Sequence, residues 1–79
     1  MADTINGFPV IGTWVTPKRG CERAGRIIMV DRGVEYEERY VVAWQAEGKG
    51  AWIESSYHVT LTEALVQFTD RVARDVVRQ

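Results

Sequence analysis

Along the first 59 residues the chain consists of short apolar-alternating segments divided by glycines and charge clusters, whereas the last twenty carry a helical period. Pro9 to Thr16 reads as a first strand, with Val10 and Trp14 on one side and Ile11 and Val15 on the other, and Pro17 ends it for want of an amide donor. Lys18 to Ala24 is a charged loop. The strand Gly25 to Asp31 follows, in which Ile28 and Val30 share one face and Ile27 and Met29 the other, so both faces are expected to be buried. After a turn at 31–35, Glu38 to Ala46 sets Tyr40, Val42 and Trp44 against Val41 and Ala43. A turn through Gly48 and Gly50 leads to a short strand, Ala51 to Ser56, and a fifth strand follows if Tyr57 to Val59 adds a short edge segment. The expected fold is mainly β: a small, strongly bent barrel of four or five strands over residues 8–59, followed by a C-terminal α-helix over 61–78, in one domain spanning 1–79.

The helix begins at a capping box, Thr60-Leu61-Thr62-Glu63, in which Thr60 accepts from the Glu63 amide and Glu63 reaches back to the Thr60 amide. Leu61, Leu65, Phe68, Val72 and Val76 fall on one arc and are expected to pack on the barrel. Val66, Ala73 and Val77 form a second, smaller stripe, expected to support a homodimer or another helix-mediated contact. Glu63, Gln67, Asp70, Arg71, Arg74 and Arg78 cover the polar arc, the arginines lying near the C-terminus where the helix dipole favours them.

Composition narrows the functional classes. Ten Lys and Arg against eleven Asp and Glu give a net charge of −1, so no overall attraction to nucleic acid or anionic lipid is expected. One cysteine and one histidine exclude an intrachain disulfide and the usual zinc ligand sets. The N-terminus lacks a basic segment followed by a long apolar run, and no stretch approaches the roughly 20 apolar residues of a membrane span. The expectation is a cytoplasmic protein without membrane contact, either a complete small gene product or an excised domain, in which Cys21 is an ordinary reduced thiol.

The order Val10-x-Gly12, Lys18-Arg19-Gly20, Gly25-x-Ile27, Tyr40-Val41-Val42-x-Trp44 and then Trp52 resembles the SH3-like small barrels of the KOW and Tudor group over residues 10–59. The KOW resemblance implies ribosomal, RNA or transcription partners, with Gly20 and Gly25 nearest to the turn glycines. The Tudor resemblance implies an aromatic cage, for which Trp14, Tyr36, Trp44 and Trp52 are available. A similar outline occurs in the type II, plasmid-borne dihydrofolate reductases, but Ala51 to Tyr57 lacks their Val-Gln-Ile-Tyr core segment, which speaks against folate chemistry.

Candidate contact residues come from the loops. Lys18, Arg19, Arg23 and Arg26 surround Glu22 and suit a phosphate or an acidic protein surface. Asp31, Glu35, Glu37 and Glu38 around Arg32 form an acidic counterpart that hairpin geometry could place nearby, a dipolar arrangement favouring an oriented protein contact. Tyr36, among Glu35, Glu37 and Glu38, is the aromatic expected to be exposed for binding, whereas Tyr40, Trp44 and Trp52 are expected to fill the core. Cys21 and His58 lie in separate elements, and Glu54, Ser55, Ser56 and His58 match no nucleophile elbow or triad order. No catalytic, cofactor-binding or metal-ligating set is therefore expected. The leading expectation is a non-catalytic module that regulates or adapts a larger assembly through a protein partner. An RNA- or DNA-binding module using residues 18–26 is second, and an oligomeric small-barrel enzyme third.

Overall fold

A computed structural model describes residues 3–78; Met1, Ala2 and Gln79, the outermost residues of the expected unit, lie outside the described residues. Five antiparallel strands, β1 (Thr4–Ile5), β2 (Phe8–Thr16), β3 (Gly25–Asp31), β4 (Tyr40–Ala46) and β5 (Ile53–His58), precede one helix, α1 (Leu61–Val77). The strands pair in chain order and form a curled half-barrel whose outer strands, β1 and β5, are not paired with each other. The fold is thus mainly β with a C-terminal helix. Its fifth strand comes from the N-terminus: Asn6 and Gly7 both have positive φ, 53° and 84°, and close a two-residue turn that pairs Thr4 with Pro9 and Ile5 with Phe8. Tyr57 and His58 extend β5 and do not form a separate edge segment.

Both faces of β3 are buried, as its apolar run predicts, and so are both faces of the central part of β4. On the first face Ile5, Ile28, Val30, Val41 and Ala43 pack together with Phe8, Val10 and Trp52. On the second, Ile27, Met29, Val42 and Ala64 pack with Trp14, Tyr40, Trp44, Phe68 and Val72, and α1 covers this side.

A bulge in β2 corrects the expected parity of the first strand. Val10 pairs with Val30 but Gly12 pairs with Met29, so Ile11 is the extra residue and every side chain after it changes face. Val10 therefore packs on the first face and Trp14 on the second, and Ile11 is left exposed. A second irregularity lies in β5, where Ser56 pairs with Val42 and Ile53 with Trp44. Glu54 absorbs it with a φ of 53°, an uncommon backbone state for a residue with a Cβ.

The helix starts at the expected cap: Thr60 Oγ1 accepts from the Glu63 amide at 3.2 Å, while the Glu63 carboxylate accepts from the Thr60 hydroxyl at 3.0 Å and not from the amide. Its buried face differs from the expected arc. Ala64 and Asp75 are buried, Phe68, Arg71 and Val72 are half-buried, and Leu61, Leu65 and Val76 are exposed at 42%, 44% and 49%. The cause is polar. Asp75 receives hydrogen bonds from Trp14 Nε1 at 2.9 Å and from Arg19 Nη1 at 2.6 Å, and these two donors draw a charged position onto the sheet in place of the aliphatic stripe. Among the described residues no helix is long and apolar enough to cross a membrane.

Candidate functional site

A concavity of about 670 Å³ lies on the second face between the C-terminal half of α1 and the β2–β3 loop. Arg19, Glu22 and Arg23 enter it from the loop, Glu54 from β5, and Arg71, Arg74, Asp75 and Arg78 from the helix or its cap, with Trp44 and Ile27 in its wall. Helical spacing explains the concentration of charge. Residues 71, 74 and 78 are three and four positions apart and share one side of the helix, which the rotation imposed by Asp75 turns towards the loop.

Most of these arginines are partnered. Arg19 is held by the Asp75 carboxylate, with a further contact to the Asp75 carbonyl at 3.4 Å, and this pairing raises the guanidinium pKa above its ordinary value. Arg78 pairs with Glu22, tying the end of the helix to the loop, and Arg74 pairs with Asp70 one turn earlier. Arg71 differs. It is half-buried, makes no ion pair among the described residues, and has one long hydrogen bond, 3.5 Å from Nη2 to Ser56 Oγ. Desolvation pushes its pKa down, partly countered by the negative charge of Glu54. Arg23 is exposed at the rim and also makes no ion pair among the described residues.

The expected contact residues therefore divide. Arg19 and Arg23 belong to the groove, and Lys18 is exposed beside them. Arg26 does not: its strand position points to the first face, where it donates to Gln45 Oε1 at 2.7 Å and to the Asp3 carboxylate at 2.6 and 3.1 Å. The acidic loop is not adjacent either. It follows β3 and the basic loop precedes it, so the seven residues of that strand, roughly 20 Å of extended chain, separate the two.

At that far end, Asp31 binds Arg39 at 2.7 and 2.9 Å and the Gly33 amide at 2.9 Å, which holds its carboxyl below the usual carboxylate range. Arg32 lies 4.3 Å from the Tyr36 ring centre and 5.0 Å from that of Tyr57, and Tyr36 meets Phe8 edge-on at 5.5 Å. Tyr36 is 39% exposed, and Glu35, Glu37 and Glu38 are exposed around it. Trp14, Trp44 and Trp52 pack into the two cores, Trp44 donating to Thr16 Oγ1 at 3.0 Å, so they build no open aromatic cage. Val66 and Val77 are exposed at 67% and 83%, and Ala73 is exposed with them. With Leu61, Leu65 and Val76 they make one uncovered apolar flank of the helix, wider than the expected stripe.

The helical period sets Arg71, Arg74 and Arg78 on the polar arc, and the structure makes them groove residues. Their three-and-four spacing was visible; the rotation that aims them at the loop was not. His58 Nε2 lies 2.9 Å from Ser56 Oγ, whereas His58 and Cys21 belong to opposite ends of the sheet, His58 pairing with Tyr40 and Cys21 lying in the basic loop. No group of three or more metal-ligating side chains occurs among the described residues. Comparison with known proteins finds no matching family, no matching curated protein and no matching solved structure.

Proposed function

We propose that this chain is a non-catalytic, cytoplasmic SH3-like interaction module that binds an acidic segment of a protein partner in the groove between α1 and the β2–β3 loop. The observation that carries this reading is the gathering of Arg19, Arg23, Arg71, Arg74 and Arg78 in one concavity of a chain whose net charge is −1. Arg71 and Arg23 make no ion pair among the described residues, so an incoming carboxylate finds cations that need not leave an existing partner. Glu22, Glu54 and Asp75 in the same groove favour a shaped, oriented contact over a uniform polyanion such as nucleic acid. The uncovered helix flank with Val66, Ala73 and Val77 supports self-association as a second feature of the module, which light scattering across concentration checks.

Fluorescence anisotropy with a labelled glutamate-rich peptide, and with single-stranded and duplex oligonucleotides, tests the groove at low and physiological salt. The peptide is expected to retain binding at physiological salt and to lose it with Arg23→Glu or Arg74→Glu. Oligonucleotide binding is expected to be weak and to fall with a log-log salt slope of about −0.9 per duplex phosphate contacted. Tight oligonucleotide binding at physiological salt, lost in the same folded variants, would place the nucleic-acid reading first.

A further inference from the structure

The acidic β3–β4 loop has the chemistry that the arginine groove accepts. The Gly33 carbonyl accepts from the Tyr36 amide at 3.3 Å, which closes a turn with Val34 and Glu35 at its crest. Residues 34–38 are all exposed, Val34 at 80%, and Glu35, Glu37 and Glu38 make no ion pair among the described residues. The loop is nevertheless held in shape: Asp31 binds Arg39 across its base, and Arg32 donates to the Glu38 carbonyl while lying against the Tyr36 ring. A segment already ordered gives up little conformational freedom when it docks, unlike a flexible acidic tail.

We propose that the acidic segment received by the groove is the β3–β4 loop of a second copy of this chain, an inference that rests on the groove reading above. Five arginines and three carboxylates line the groove, a surplus of two positive charges, and the loop brings three carboxylates of its own. Arg23 and Arg71 meet the incoming glutamates without surrendering an ion pair, and Ile27 and Trp44 in the groove wall offer apolar surface to Val34. A chain does not reach its own groove, because β3 runs from one loop to the other and holds them at opposite ends of the sheet. A net charge of −1 leaves little overall repulsion between copies, so the opposed local charges set the orientation of approach. The contact joins two different surfaces and is heterologous, unlike the like-to-like pairing that the uncovered helix flank would give.

Sedimentation equilibrium of the intact chain up to about 1 mM, at low and at physiological salt, tests the contact. The mass is expected to rise with concentration, and the association to weaken as salt screens the charges. Glu35→Gln with Glu37→Gln spoils the loop and keeps the groove, and Arg23→Gln with Arg74→Gln does the reverse. Each pair should weaken association at least about tenfold. All four positions are exposed, and if the groove pair does not fold, Arg23→Gln alone replaces it. Mixed in equal amounts, the two variants should form a dimer and nothing larger, because only one intact loop then meets one intact groove. A mixture that stays monomeric, or a wild-type chain monomeric at about 1 mM and low salt, overturns the contact. Glutamate-rich peptide binding in that same monomeric chain leaves the groove reading standing, and its absence removes both. Association undiminished in the loop variant alone also overturns the contact and assigns self-association to the helix flank.

Discussion

The two charged loops at opposite ends of β3 look alike in sequence and are built differently. The basic β2–β3 loop takes its order from the far end of the chain: Arg19 is fixed by Asp75 and Glu22 pairs with Arg78, both partners 56 positions away. The acidic β3–β4 loop is held largely from within, through Asp31 with Arg39 and Arg32 with Tyr36 and the Glu38 carbonyl. A loop tied to a distant helix reports on the whole tertiary structure, whereas one closed on itself can change with little effect elsewhere.

The largest effect expected of this difference is at Asp75. Its replacement by alanine leaves Trp14 Nε1 without its acceptor and the half-buried Arg19 with only the residue 75 carbonyl, and should cost about 3 kcal/mol in urea unfolding. A loss below about 1 kcal/mol would mean that the basic loop does not depend on the helix. Gly25→Ala, at the junction of that loop with β3, comes next. A Cβ there would lie 2.5 Å from the Gln45 carbonyl oxygen and from a Trp44 ring carbon, so both the indole and the β4 backbone must shift, at a cost of about 1 to 3 kcal/mol. Thermal melts with Trp fluorescence read both the loss and the movement.

Changes in the acidic loop should be smaller. Asp31→Asn should cost about 1 kcal/mol or less, with the spectral changes confined to residues 31–39. The pH dependence follows from the sign of the Asp31 shift. Because its folded pKa lies below the unfolded value of 3.8, its contribution is present above that value and fades as pH falls through the folded pKa. Loop resonances should therefore begin to change below about pH 4, and loosening already at neutral pH would contradict the ion pair. Tyr36→Ala is expected to have the smallest effect on stability, within about 1 kcal/mol, because the ring is well exposed and its neighbours are Phe8 and Arg32. A loss as large as that of Asp75→Ala would erase the distinction between the loops.

The central sheet was legible because the apolar runs of β3 and β4 leave no solvent face to assign, and the helix cap because its residue types have one common use. The Asn6-Gly7 pair is an equally direct signal, of a two-residue hairpin turn. The bulge at Ile11 was not legible, because one inserted residue reverses facing without altering the alternation around it. The helix rotation was hidden for a different reason. A hydrophobic arc predicts which side is buried only if the polar side has no partner on the sheet, and Trp14 and Arg19 supply two. The groove inherits that error, since its helical arginines face the loop only after the rotation.

The sheet order has a kinetic consequence. Each strand pairs with its neighbour in the chain, so the sheet can be assembled through successive hairpins with little loop closure, whereas the ties from Trp14 and Arg19 to Asp75 span 61 and 56 positions. Helix docking is accordingly expected to follow the folding transition state, so that Asp75→Ala accelerates unfolding and leaves the refolding rate nearly unchanged. Stopped-flow measurements separate the two, and a slowed refolding arm would show that the helix is already docked at the barrier. On the expected order the sheet exists before its arginine groove does, and the proposed binding surface is the last part of the molecule to form.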